Sequence, residues 1–212
     1  DEPSADEAGY FLTAGEMRFS MDTPQNRLLS LAFARLVGHL LADGSISVLG
    51  QGRMNIGQAV DREAVLNDIE LVTGKRPTGT RYDARKWAIV LPSELTQAIM
   101  VLSGVRVGRR IHQTPGLPAF VLDSNCPVSI VREFLGGLFG ADGTAPVLKR
   151  LSTHEEDAIF QSPAYSQSAK PEHIAALKEV MGQILRLLQR CGVKTGGAKV
   201  RQYPVRRSAS SY

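Results

Sequence analysis

Two aspartates offer this chain its clearest opportunity for chemistry. Asp43 closes the run Leu36-Val-Gly-His-Leu-Leu-Ala-Asp43-Gly44, and Asp142 closes Leu135-Gly-Gly-Leu-Phe-Gly-Ala-Asp142-Gly143. The runs agree at Leu, Gly, Ala, Asp and the final Gly, and the aspartates lie 99 residues apart. A repeat at such an interval indicates two similar half-domains. Each run reads as an apolar helix ending on a carboxylate that packing alone does not require. A helix C-terminus carries partial negative charge, so a second carboxylate there is disfavoured unless a cation is present. Two such ends brought together make a site for Mg2+, a hard ion that takes oxygen ligands. With phosphate oxygens in reach, that arrangement meets the needs of in-line phosphodiester hydrolysis.

The elements that must position these residues are legible from spacing. Gly38 in the first run and Gly136, Gly137 and Gly140 in the second each cost a helix roughly 1 kcal/mol against alanine. Close approach of the two helix backbones is the physical reason to keep them. Leu28, Leu31, Leu36 and Leu40 predict a helix from Gln25 to about Ala42, with Gly44 as a left-handed residue after its end. Two short strands follow, Ser45–Leu49 and Met54–Val60, around a Gln51-Gly52 turn. A helix over Arg62 to Val72, a strand or hairpin over Thr80–Leu91 and a helix capped by Ser93 complete the first half. The second half repeats the order: a helix over Ser129–Ala141, strand material over Phe160–Ser168, and an amphipathic helix opened by Pro171. Domain boundaries fall at a polar lead-in (1–24), a first half (25–125) and a second half (126–212). The second half stops where the first continues, so the repeat leads one to expect closing elements beyond residue 212.

Composition narrows the class. Residues 1–22 carry six acids against one base, which leaves 24 basic and 15 acidic residues in the remainder. A basic body suits a polyanion, with nucleic acid the default. No apolar run approaches the roughly 18–20 residues that span a membrane. Cys126 and Cys191 form no CxxC pair, which suggests neither a disulfide framework nor a zinc site. An intracellular, reducing compartment fits, whether nucleus, organelle or bacterial cytoplasm.

The repeated motif, each copy followed by strands, resembles that of the LAGLIDADG homing endonucleases of the single-chain, double-motif type, from roughly Leu28 to Arg207. The resemblance implies an α+β fold of two pseudo-symmetric αββαββα half-domains packed through their motif helices. Their antiparallel sheets would form a saddle over duplex DNA. It further implies that Asp43 and Asp142, with Ala42 and Ala141 beside them, bind a catalytic divalent metal. The ion would be Mg2+, with Mn2+ substituting and Ca2+ binding without cleavage. The expected activity is that of a monomeric, site-specific double-strand DNA endonuclease with a long asymmetric target, promoting intron or intein mobility. A non-cleaving maturase or regulator on the same scaffold is the alternative.

Further site residues follow from the same resemblance. Gln58 and Gln167 stand where the family often places a polar residue near each scissile phosphate. Arg109, with Arg110 as alternate, resembles the basic residue beside the family's active site. DNA contacts are expected from Arg53, Asn55, Arg81, Arg85 and Lys86 in the first half and Lys199, Arg201, Tyr203 and Arg206 in the second. Alternation puts Arg53 and Asn55, or Lys199 and Arg201, on one strand face, where Arg and Lys read guanine and Asn reads adenine. His39 is expected to pack between helices, Trp87 to fill the core, and His154-Glu-Glu-Asp157 to be a solvated loop.

Overall fold

The computed structural model describes residues 7–83, 86–108, 113–144, 146–150 and 158–197. It is a mixed α/β structure of helices and small antiparallel sheets. In order these are β1 (Phe11–Ala14), β2 (Met17–Ser20), α1 (Pro24–Asp43), β3 (Gly44–Ile46), β4 (Gly52–Ile56), α2 (Ala59–Thr73), β5 (Thr80–Asp83), β6 (Lys86–Val90) and α3 (Ser93–Met100). There follow α4 (Ala119–Leu122), α5 (Val128–Asp142), β7 (Val147–Arg150), β8 (Ala158–Gln161) and, after a 3-10 turn at Pro171–His173, α6 (Ile174–Arg190).

Helix α1 is the axis of the core. Thr23 caps it, its hydroxyl accepting from the Asn26 N–H at 3.1 Å, and Pro24 supplies a preset first turn. Leu31, Phe33, Leu36, Val37 and Leu40 are all buried, a wider apolar band than one helix face needs. The band is covered on several sides, by α5, α2, the β1–β2 hairpin and the sheet. Order in that sheet is β3-β4-β6-β5, every pair antiparallel. Buried Gly52, Met54 and Ile56 alternate along β4 with half-buried Arg53 and Asn55.

Residues 7–24 are not a mere polar lead-in. Gly15, at φ 62°, turns β1 into β2, and Ala14, Phe19 and Met21 are buried against α1. The Phe19 ring stacks on Phe33 at 4.0 Å between centroids. The scattered charges of this stretch masked a short alternation whose inward residues belong to the core. Two other expectations are corrected. Gly44 is extended (φ −114°, ψ −179°), not left-handed. Glycine is needed there because a Cβ would sit 2.6 Å from the Leu40 carbonyl oxygen as the chain leaves α1 directly into β3. Ser93 begins α3 rather than capping it; the cap position is Pro92.

The C-terminal hairpin differs from its expected extent. Strand β7 pairs with β8 from Val147↔Gln161 to Arg150↔Ala158, and the bridge Gly143↔Tyr165 continues the same register back to the end of α5. Strand structure therefore covers Val147–Arg150 and Ala158–Gln161, and the stretch after Tyr165 is irregular up to the 3-10 turn.

Candidate functional site

The contact between α1 and α5 governs where the two aspartates lie. A Cβ on Gly38 would fall 2.1 Å from the Phe134 carbonyl oxygen, and one on Gly137 would fall 2.1 Å from that of Arg35. These contacts are reciprocal: each glycine meets the residue whose counterpart in the other run its partner meets. Gly136 and Gly140 have nothing within 4 Å of their would-be Cβ atoms. Only one glycine per helix is therefore required by close approach, and the expectation for the other two is corrected. The crossing lies about a turn and a half before each helix end.

Arg35 fixes the crossing from outside. Its guanidinium grips both Asp68 oxygens on α2, at 2.9 and 2.7 Å, and donates to Glu133 Oε2 on α5 at 2.6 Å. These acids hold Arg35 well above its usual range against the opposing effect of burial. At the helix ends Asp43 is exposed and Asp142 half-buried, while Ala42 is buried and Ala141 half-buried. The chain turns out through matching bonds, Gly44 N–H to Leu40 O and Gly143 N–H to Phe139 O.

His39 lies at this crossing, its main-chain N beside Gly137. Burial lowers its pKa below 6.5, opposed by a main-chain bond to Asn55 and by the charges of Asp43, Asp61 and Asp142. Both motif aspartates are thus within electrostatic reach of one buried ring. The Asn55 side chain donates from Nδ2 to the Asp43 carbonyl oxygen at 3.3 Å. Strand β4 is thereby tied to the end of α1, and Asn55 is partly committed to holding that end rather than standing free to read a base.

Arg53 and Asn55 point away from buried Met54 and Ile56, and their sheet neighbours on that face are Val90 and Ala88. Lys86, exposed, shares the face through β6 alternation, whereas Trp87 is half-buried rather than enclosed in the core. Arg81 belongs to β5, paired with Trp87. Gln58 is exposed at the N-cap position of α2 without capping it, and Gln167 is half-buried in the irregular stretch. The positions Arg85, Arg109, Arg110, His154 to Asp157, Lys199, Arg201, Tyr203 and Arg206 lie outside the described residues.

Sequence reasoning missed Arg106. Exposed, it lines a small recess with Leu40, Leu41, Gly44, Ser45 and Gln113, beside the strand that leaves Asp43. The loop of Val105 to Gly108 carries no periodic signal, and only tertiary docking places it there.

Known protein families give no match to this chain. It is 28% identical over 130 residues to the replication factor C small subunit of Methanocaldococcus jannaschii, a stretch covering 56% of this chain and 7% of that protein. That finding corrects the expectation of a LAGLIDADG homing endonuclease. The similar protein carries the name of a replication factor, and metal-dependent DNA cleavage and intron or intein mobility find no support in it. Physically, an acidic-ended helix with one crossing glycine is a packing solution before it is a nuclease signature. Among the described residues no helix is long and apolar enough to cross a membrane.

Proposed function

We propose that this chain is a double-stranded DNA-binding unit acting in replication, docking through the outward face of its four-stranded sheet. The similarity to a replication factor supports the setting. The observation that carries the reading is the placement of half-buried Arg53 and Asn55 and exposed Lys86 on one sheet face beside the end of α1. A twisted antiparallel sheet edged with cations suits a phosphate backbone, and counterion release supplies affinity that does not depend on sequence. The wider basic balance after residue 22 adds long-range attraction.

Asp43 and Asp142, whose charges both act on the buried His39, would be the carboxylates to hold one Mg2+ ion beside this surface. Among the described residues no group of three or more His, Cys, Asp or Glu side chains forms a metal cage. Mg2+ does not need one, because it keeps several waters and takes one or two carboxylates plus phosphate oxygens. Bound there, it would neutralise the paired carboxylates and accept a backbone phosphate oxygen. Asn55 holds the Asp43 end in place, and Arg53 and Lys86 set the register of the duplex. The matching crossing contacts at Gly38 and Gly137 support a reading of the chain as two related halves. No bond-breaking step belongs to this proposal.

The test is duplex affinity by fluorescence anisotropy in Arg53→Ala and Lys86→Ala, with Lys178→Ala, exposed on α6, as the comparison. Both sheet variants should weaken binding to every duplex alike, and the α6 variant should leave it unchanged. Equal affinity in all three would remove the sheet face from the account.

A further inference from the structure

We propose that the outer edge of β1 takes an extended segment of a partner protein as an added strand, with a lysine or arginine of that segment in the cavity that Phe11 lines. This interaction goes beyond duplex binding and does not depend on it. Main-chain pairing identifies the open groups. Met21 N–H donates to the Tyr10 carbonyl at 3.2 Å, and the register continues as Phe11↔Ser20, Leu12↔Phe19, Thr13↔Arg18 and Ala14↔Met17. Antiparallel alternation therefore commits the main-chain groups of Tyr10, Leu12 and Ala14 to β2 and turns those of Phe11 and Thr13 outward. Both residues are exposed, and among the described residues no hydrogen bond reaches their outward groups. The opposite edge of the hairpin is closed, since the Ser20 carbonyl accepts from the Ser30 hydroxyl of α1 at 2.7 Å. Strand β1 itself, Phe-Leu-Thr-Ala, carries neither the charge nor the proline that keeps an edge from pairing.

Phe11 joins this edge to a cavity of about 660 Å³ between the start of β1 and the loop before α5. Tyr10, Phe11, Pro127 and Val128 supply apolar lining, and Asp123 and Asn125 supply polar lining. The loop is held from behind by Arg190, which donates to the carbonyls of Asp123 and Ser124, each at 2.8 Å, and to that of Cys126. Glu7, also in the lining, is already engaged by Ser129 and Arg27. Asp123 is exposed; one carboxylate oxygen accepts the Asn125 N–H at 2.8 Å, and no cation pairs with it among the described residues. A long basic side chain suits this lining, its methylenes on the apolar walls and its head on the remaining Asp123 oxygen. The charge of the region agrees, because residues 1–22 carry six acids against one base in a chain that is otherwise basic. That stretch repels duplex DNA, so partner strand and duplex do not compete for it. In such strand addition the main-chain bonds give affinity and the side-chain cavity gives specificity.

The experiment measures, by fluorescence anisotropy, binding of the whole chain to three labelled peptides: Thr-Val-Lys-Val-Thr, the same peptide with Glu in place of Lys, and the Lys peptide with every amide N-methylated. The Lys peptide should bind, the Glu peptide about tenfold more weakly, and the N-methylated peptide not at all. Asp123→Asn should reduce the preference for Lys over Glu to about twofold. Thr13→Pro removes an outward N–H but no bond of the hairpin, and should weaken the Lys peptide about tenfold. Duplex affinity should stay at the parent value in both variants, so this inference and the proposed function fail separately. Lack of Lys-peptide binding by the parent, equal binding of the Lys and Glu peptides, or undiminished binding of the N-methylated peptide would each overturn the inference. A concentration-dependent dimer of the parent that Thr13→Pro abolishes, seen by sedimentation, would put a second copy of this chain on the edge and overturn it too.

Discussion

At the scale of the residue, His39 is the most exacting group in the molecule. It occupies the helix crossing with its main-chain N beside Gly137, and burial disfavours its charged form despite three nearby aspartates. Its folded pKa lies below the unfolded value of about 6.5, so its contribution to stability is complete above that pH. The contribution is lost as pH falls through the folded value, because the unfolded chain takes up the proton first. We therefore expect the melting temperature to drop on acidification, and His39→Leu to reduce that drop. Thermal melts from about pH 8 to about pH 5 check this; an identical acid dependence in the two proteins would assign it to other groups. Crossing glycines are as specific. Gly38→Ala or Gly137→Ala should cost about 3 kcal/mol, because the added carbon meets a backbone oxygen that cannot move aside. Gly136→Ala, facing open space, should gain up to about 1 kcal/mol from helix propensity. Urea unfolding of the three variants separates them.

At the scale of the element, Arg35 binds three helices into one unit. Its side chain is 37% exposed, so screening discounts the pairing. Arg35→Met is expected to cost about 1 kcal/mol, less at high salt, as read by denaturant midpoints at two ionic strengths. The elements themselves were largely legible in the sequence. Leucine spacing marked α1 within a residue or two, and the α2 and α5 spans are also close to expectation. What escaped was whatever depends on a partner distant in sequence. The β1–β2 hairpin reads as polar until Phe19 meets Phe33. Gly44 resembles a left-handed helix end in sequence, yet it is demanded by contact with Leu40. Arg106 shows no motif, because its position follows from the Gly108 bond to β3. Asn55 was legible as an outward strand residue, but its bond to Asp43 was not.

At the scale of the whole molecule, two acidic helix ends stand beside a sheet face with outward cations, the proposed surface for duplex DNA. The repeated Asp-Gly motif correctly directed attention to the α1–α5 crossing, but the cleavage chemistry inferred from it does not stand. A motif of nine residues specifies a packed pair of helices more firmly than it specifies a reaction. Whether this surface binds duplex DNA with a divalent ion at the aspartates is read from duplex affinity with Mg2+ and with EDTA. The parent should bind in a salt-dependent manner and tighten when Mg2+ is supplied. Asp43→Asn and Asp142→Asn should bind as well as the parent or better in EDTA, through relief of repulsion, and lose the Mg2+ gain. Absence of duplex binding, or an undiminished Mg2+ gain in both variants, would contradict the account.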